Sequence, residues 1–147
     1  MLLSRKDHLN KMYTVNKEFT CFLIDDDIDD HEIFLKALEA VAPAIHCFTA
    51  FNGQEAIDKL RTNEVKPDMI FLDLNMPLMN GMQFLKACQS MGSCRDIPVI
   101  ILSTSSERET INETKELGAR GYITKPDRFS GWTDAIKKKL VEYRTQA

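Results

Sequence analysis

Five polar side chains in this sequence each stand at the end of a short apolar or β-rich run: Asp25, Asp26, Asp73, Ser103 and Lys125. Three carboxylates held at close range repel one another, and proteins relieve that repulsion with a bound cation, a proton or a paired lysine. Oxygen ligands that leave some waters in place suit Mg²⁺. If these side chains meet in the folded chain, we expect a Mg²⁺ site in which the lysine supplies a fixed positive charge.

Each of these residues also has an ordinary structural interpretation. Asp25 to Asp27 can cap a helix, and Asp73 can be a loop acid. Ser103 can be a helix cap, and Lys125 can be a solvated lysine. These interpretations stay open for any one residue taken alone, so a functional site requires that the fold bring the residues to one place.

The apolar runs are predicted to be strands, and each is followed by residues at helical spacing. The central run, Met69 to Leu72, is apolar at consecutive positions, which is typical of a strand buried on both faces. Asp73 then lies at the carboxyl end of that strand, where ligands bind in open parallel sheets. The predicted strands are 19–24, 45–51, 69–73, 98–103 and 121–124.

Five strand and helix pairs in strict alternation, joined by short loops, imply right-handed crossovers and a parallel sheet covered on both faces. We therefore predict an α/β protein in which a flavodoxin-like, doubly wound five-stranded parallel sheet forms a single domain. The alternation alone does not determine the order of the strands in the sheet.

Three of the predicted helices begin with a capping signal, in which Asn or Ser stands three positions before Glu or Gln. The pairs are Asn52 with Glu55, Asn80 with Gln83, and Ser106 with Glu109. Gly118 is predicted to end the fourth helix, because glycine readily adopts the left-handed conformation that closes many helices.

The chain has 147 residues, the length of one domain, and its formal charge of −3 argues against nucleic acid as a direct partner. No apolar run approaches the roughly 20 residues of a membrane span, and the N-terminus lacks the apolar core of a signal peptide. We expect a cytoplasmic protein without membrane insertion. Residues 1–18 are polar and aperiodic, and we expect them to form an N-terminal extension before a domain at 19–147.

The four cysteines, Cys21, Cys47, Cys88 and Cys94, show no CxxC spacing. Two of them lie in apolar strand-like runs, where a cysteine behaves as a small hydrophobic residue. We therefore expect reduced structural thiols rather than disulfides.

Taken together, the motifs at the strand ends resemble the receiver domain of two-component response regulators, in particular the single-domain, chemotaxis-regulator type. Four motifs carry the resemblance, and they occur in the family's order and at family-like spacing from about Phe19 onward. They are FLIDDD at 22–27, DLNMPLMNG at 73–81, PVIILST at 98–104 and GYITKP at 121–126.

The resemblance implies a phosphoryl switch rather than an enzyme. Asp73 would accept a phosphoryl group from a histidine kinase and become an acyl phosphate. Asp25 and Asp26 would hold Mg²⁺ together with Asp73, and Asn75 would add its backbone carbonyl. Phosphoryl transfer passes through a loose transition state, so that charge neutralisation and positioning supply most of the catalysis.

The resemblance also assigns the remaining groups. Ser103 would hydrogen-bond a phosphoryl oxygen, and Lys125 would pair with Asp73 and then with the phosphoryl group. Ser103 and Tyr122 would form the switch pair that alters the face made by the fourth helix, fifth strand and fifth helix. The bond between Lys125 and Pro126 is a candidate cis peptide on the same basis.

The partners implied are a sensor histidine kinase or a histidine phosphotransfer protein, and a separate downstream target, because the chain ends soon after its last helix. Two alternatives keep the fold: an adaptor that works without phosphorylation, and a relay intermediate that passes the phosphoryl group to a histidine phosphotransfer protein. A phosphatase of the haloacid dehalogenase type is disfavoured, because Asn75 stands where those enzymes need a second aspartate.

Overall fold

The computed structural model describes residues 19–144, so the predicted N-terminal extension lies outside the described residues. Five strands alternate with five helices along this part of the chain. The elements are β1 (Thr20–Ile24), α1 (Ile28–Val41), β2 (His46–Ala50), α2 (Gly53–Arg61), β3 (Met69–Asp73), α3 (Gly81–Gln89), β4 (Val99–Ser103), α4 (Arg108–Glu116), β5 (Gly121–Thr124) and α5 (Phe129–Arg144).

The five strands form one sheet in the order β2-β1-β3-β4-β5, and every neighbouring pair is parallel. The predicted flavodoxin-like parallel sheet is confirmed, and the structure adds the strand order. Because β3 lies in the middle, Asp73 at its end stands between the ends of β1 and β4. Asp73 is in register with Leu102 on β4.

Alternate residues of the strands face two separate cores. On one face, α1 and α5 cover the sheet, and Phe34 packs edge-on against both Phe71 and Trp132. On the other face, α2 and α3 pack through Ile57, Leu60 and a further set of buried residues, among them Phe84, Leu85 and Cys88. Burial of apolar surface on both faces keeps the strand ends fixed in relation to one another.

The helix starts agree with the capping prediction at two of three positions. Asn80 and Gln83 form a complete capping box at α3. Asn52 caps α2 by accepting the N–H of Glu55, although the carboxylate of Glu55 accepts the N–H of Phe51 instead of that of the cap residue.

The prediction that Ser106 caps the fourth helix is wrong. That helix begins at Arg108, and the cap residue Glu107 makes no side-chain capping bond. The hydroxyl of Ser105 accepts the N–H of Glu107 at 3.2 Å, so a different serine turns the chain into the helix. Gly118 follows the helix with a φ of 104°, as the glycine signal predicted.

Two further expectations are corrected. Cys88 and Cys94 form a disulfide with a Cα–Cα distance of 5.1 Å, because a tight turn after α3 returns the chain to the helix end. The expected reduced state holds only for Cys21 and Cys47. Residues 19–144 contain no cis peptide bond, so the bond before Pro126 is trans. None of the helices described combines the length and apolar character needed to cross a bilayer.

Gly81 determines how closely the start of α3 approaches the end of β3. A Cβ atom at this position would lie 2.7 Å from the Cα of Leu74 and 2.8 Å from the carbonyl oxygen of Asp73. The N–H of Gly81 also donates to the carbonyl of Leu74 at 2.9 Å. The glycine therefore lets the helix begin directly against the backbone that carries Asp73.

We predict that Gly81→Ala lowers the free energy of unfolding by about 1–3 kcal/mol, because the new methyl group meets backbone that cannot move aside. Urea denaturation measures the change. Gly92→Ala is the matched control, because a Cβ there would have no neighbour within 4 Å. Equal stabilities of the two variants would contradict this account of the loop.

Candidate functional site

Three aspartates meet at the carboxyl edge of the sheet, where β1 and β3 end side by side. Asp25 follows β1 directly and is fully buried, and Asp73 is the last residue of β3 with 3% of its surface exposed. Asp26 is exposed beside them. Each of the three offers a carboxylate oxygen, and these oxygens lie within 4.8 Å of one another. Carboxylate oxygens are the donors that hard divalent cations prefer, so these three residues could together hold one.

Lys125 projects into this carboxylate cluster from the loop after β5. Its Nζ lies 3.1 Å from Oδ2 of Asp25 and 3.1 Å from Oδ1 of Asp73. The backbone N–H of Lys125 donates to the carbonyl of Ser103 at 2.6 Å, which ties the start of this loop to the end of β4. One fixed ammonium therefore lies between two buried carboxylates.

Asp30 is a fourth carboxylate that the sequence interpretation missed. Its Oδ2 lies 2.6 Å from Nζ of Lys125, which makes this the shortest of the three ion pairs of the lysine. Asp30 lies in the first turn of α1, capped by Asp27, and that turn begins at the same sheet edge as the cluster. The run of five acids within residues 25–30 was the available signal, because a helix start places its first-turn side chains near the preceding strand end.

Asp25 is held at its side chain and at its backbone carbonyl. The N–H of Asp27 donates to Oδ1 of Asp25 at 2.9 Å. Nε2 of the buried His31 lies 2.6 Å from the backbone carbonyl oxygen of Asp25, and its ring stacks on Phe51 with centroids 4.2 Å apart. The sequence analysis assigned no histidine to the site, but His31 contacts the backbone of Asp25.

Burial shapes the electrostatics of the cluster. Burial first, and then the negative charge of Asp25, raise the pKa of Asp73 to about 7, although Lys125 acts in the opposite direction. Burial likewise raises the pKa of Asp25, while the N–H of Asp27 and the charge of Lys125 oppose the rise. With Asp25 and Asp73 both ionised, two buried negative charges would face one ammonium, and a cation bound there would stabilise that charged state.

Lys125 itself stays protonated. Burial disfavours its charge, but the carboxylates of Asp30, Asp25 and Asp73 outweigh burial and raise the pKa of the ammonium. The positive charge at the site is therefore permanent across the physiological pH range.

Ser103 and Tyr122 are linked through the backbone of Ser105. The N–H of Ser105 donates to Oγ of Ser103 at 3.1 Å, and the hydroxyl of Tyr122 donates to the carbonyl of Ser105 at 2.6 Å. Ser103 is buried at the end of β4, one strand from Asp73, and Tyr122 is partly buried on β5. Asn75 is exposed in the loop two residues beyond Asp73, and its carbonyl contact to a metal stays a prediction.

Residues 21–137 match the response regulator receiver domain family. Among solved structures, the chain is similar to the phosphorylated cyanobacterial phytochrome response regulator RcpA, with 30% identity and a TM-score of 0.80. The alignment covers 88% of this chain and 96% of that one.

Two curated relatives show the same similarity at the level of sequence. A protein-glutamate methylesterase/protein-glutamine glutaminase of Treponema pallidum is 34% identical over 87% of this chain, and the alignment covers 32% of that protein. The chain thus spans about a third of the length of that relative. The sporulation initiation phosphotransferase F of Bacillus subtilis is 39% identical over 63% of this chain and 72% of its own length.

We predict that Asp73→Asn stabilises the metal-free protein at pH 8 by about 1–3 kcal/mol and that the gain disappears below about pH 4. The folded state retains the proton of Asp73 up to about pH 7, whereas the unfolded state loses it near its ordinary pKa. The free energy of unfolding therefore falls as pH rises from the pKa of the unfolded state to that of the folded state. Asp73→Asn cannot ionise, so the variant does not undergo this loss. Urea denaturation in the presence of a chelator measures the difference in the free energy of unfolding between variant and wild type. Asp96→Asn, at an exposed position, is the control. A gain that is independent of pH would contradict the raised pKa.

Proposed function

Because the chain belongs to the response regulator receiver domain family, we propose that it accepts a phosphoryl group on Asp73 from a phosphohistidine of a two-component system. The observation that carries the proposal is the position of Asp73. It ends the central strand at the sheet edge, lies 3.1 Å from the ammonium of Lys125, and clusters with the carboxylates of Asp25 and Asp26.

The transfer exchanges one bond to phosphorus for another. A carboxylate oxygen of Asp73 attacks the phosphorus atom, the nitrogen–phosphorus bond of the donor breaks, and its electron pair stays on the imidazole nitrogen. Asp73 must be ionised to attack, and its pKa of about 7, with Lys125 already beside it, leaves the carboxylate partly protonated near neutrality until a bound cation favours the charged form. The groups around it therefore control its reactivity.

The residues present fit a magnesium ion, since Asp25, Asp26 and Asp73 supply three clustered oxygens and Asp26 is open to water. When bound, Mg²⁺ would supply positive charge to these carboxylates and to the incoming phosphoryl oxygens. We propose that the carbonyl of Asn75 completes the ligand set. The N–H of Asp27 and the ring nitrogen of His31 hold Asp25 in place for this role.

Lys125 and Ser103 are proposed to bind the phosphoryl oxygens. The ammonium already contacts Asp73, and it stays charged, so it can neutralise charge that moves from the carboxylate to the phosphoryl group. Ser103 accepts the N–H of Ser105 through Oγ, and its own hydroxyl proton remains available to donate. Such preorganised donors stabilise the charge that spreads over the transferring group.

Signal output is proposed to pass through Ser105 to Tyr122. If Ser103 turns toward a phosphoryl oxygen, its bond to the N–H of Ser105 changes, and the carbonyl of Ser105 that accepts from Tyr122 moves with it. The affected surface is the face formed by α4, β5 and α5. We propose that a separate downstream protein binds this face, with a coupling of about 1–3 kcal/mol.

The phosphoryl donor is proposed to dock over the loops at the carboxyl edge of the sheet. Ile28 after β1 is 69% exposed and Leu78 after β3 is 90% exposed. Leu78 also adopts a φ of 67°, an unusual conformation for a branched side chain, and such strain is typical of functional loops. These apolar side chains would contact the histidine-bearing partner, a sensor kinase or a phosphotransfer protein of the cytoplasm.

A relay intermediate is the second candidate function. The similarity to a protein named as a phosphotransferase favours it. In that role the chain would return the phosphoryl group from Asp73 to a histidine of a second protein, by the reverse of the same exchange. Transfer of label from the purified phosphoprotein to a histidine phosphotransfer protein would distinguish this role from terminal signalling.

We predict that the protein becomes labelled by ³²P-acetyl phosphate in the presence of Mg²⁺ and that Asp73→Asn abolishes the label. The reason is that Asp73 is the buried strand-end carboxylate beside the lysine. The control is Asp68→Asn, at the other end of β3 from Asp73, and it should be labelled as strongly as the wild type. Label that persists in Asp73→Asn would contradict the assignment, and an unlabelled wild type with a stable fold would favour the phosphorylation-independent adaptor.

We predict that millimolar Mg²⁺ raises the melting temperature, and more at pH 8 than at pH 6. The cation binds ionised carboxylates, and only the native state gathers them, so binding stabilises the fold by mass action. Asp73 is largely protonated at pH 6 and largely ionised at pH 8. Asp26→Asn should reduce the shift. A melting temperature that does not respond to Mg²⁺ at either pH would rule out the metal site.

A further inference from the structure

Three carboxylates surround the ammonium of Lys125, and two of them accept hydrogen bonds from it. Oδ2 of Asp30 accepts at 2.6 Å and Oδ2 of Asp25 at 3.1 Å, whereas Oδ1 of Asp73 lies 3.1 Å away as an ion pair. The lysine side chain is 11% exposed, so water can take little part. A phosphoryl oxygen that binds Lys125 therefore competes for the ammonium with the carboxylates that already hold it.

Asp30 is the carboxylate that can be released. Asp25 is fully buried, and its other oxygen already accepts the N–H of Asp27. Asp73 is the residue that would carry the phosphoryl group itself. The side chain of Asp30 is 26% exposed at the start of α1, so water can solvate its carboxylate once the lysine has moved.

Resting on the proposed function, we propose that Asp30 is a positioning residue that competes with the phosphoryl group on Asp73 for Lys125. In the unphosphorylated protein, Asp30 holds the ammonium through a 2.6 Å ion pair. When phosphate arrives, one N–H donor moves from Asp30 to a phosphoryl oxygen. The affinity of the site for a phosphoryl group is therefore lower than Lys125 alone would allow, and Asp30 sets that reduction.

The test is the affinity for beryllofluoride, a tetrahedral phosphoryl analogue, in the presence of Mg²⁺. Asp30→Asn is expected to bind it about fivefold more tightly than wild type, the effect of losing one partly exposed ion pair. Asp30→Glu, which keeps a carboxylate within reach of the lysine, should restore the affinity to near the wild-type value. Unchanged or weaker binding by Asp30→Asn would overturn the proposal.

Asp29 offers a matched control, because it is the neighbouring aspartate on the same helical turn and its side chain is exposed. Asp29→Asn removes the same charge without touching Lys125. We expect it to tighten beryllofluoride binding less than twofold. Equal effects of the two substitutions would mean that only the general negative charge matters, and the competition for Lys125 would be excluded.

A second measurement needs neither phosphate nor metal. Asp30→Asn and Lys125→Met are combined in a double-mutant cycle followed by urea denaturation with a chelator present. The two substitutions should be non-additive, so that Lys125→Met shifts the urea midpoint less in the Asp30→Asn background. The parallel cycle with Asp29→Asn should be additive. Additive behaviour in both cycles would show that Asp30 does not hold the lysine.

The outcomes separate this inference from the proposed function. A wild-type protein that binds no beryllofluoride and takes no label at Asp73 would contradict the proposed function and this inference with it. A wild-type protein that binds beryllofluoride, with Asp30→Asn unaffected, would overturn the role of Asp30 alone.

Discussion

The site at the edge of the sheet depends on the balance between the repulsion among its carboxylates and their attraction to a single ammonium. Asp25 and Asp73 are buried side by side, and burial raises the pKa of both, so that their charged forms are costly. Lys125 offsets part of that cost. The two hydrophobic cores hold the strands that carry the acids, and they supply the free energy that keeps the groups together. A cation bound by Asp25, Asp26 and Asp73 would offset the remainder of that cost.

The sheet and most of the acidic cluster could be predicted because they follow from local pattern and one topological rule. Consecutive apolar residues before Asp73 indicated a strand buried on both faces, and alternation with helices indicated a parallel sheet. Parallel strands share one carboxyl edge, so residues 48 positions apart, Asp25 and Asp73, were expected to meet. The strand order required the structure, because alternation is compatible with several orders.

The features that the sequence analysis missed depend on contacts whose geometry is defined only in the folded chain. Asp30 joins the cluster only because the first turn of α1 faces Lys125. Ser106 is not the cap because the chain enters the helix through Ser105, whose hydroxyl accepts the N–H of Glu107 and whose carbonyl accepts the hydroxyl of Tyr122 from a distant strand. Cys88 and Cys94 meet through the path of the turn after α3, and their spacing in the sequence gave no indication of it.

The ion pairs of Lys125 join residues that are 100 and 95 positions apart in the chain, and they span the first and the last strand. The site therefore requires the first and the last strand of the chain to be in place in the same sheet. A chain cut before residue 125 would lack the lysine, and Asp25, Asp30 and Asp73 would lose the ammonium that pairs with them. An intact last strand is thus a condition for charge compensation at the opposite end of the sequence.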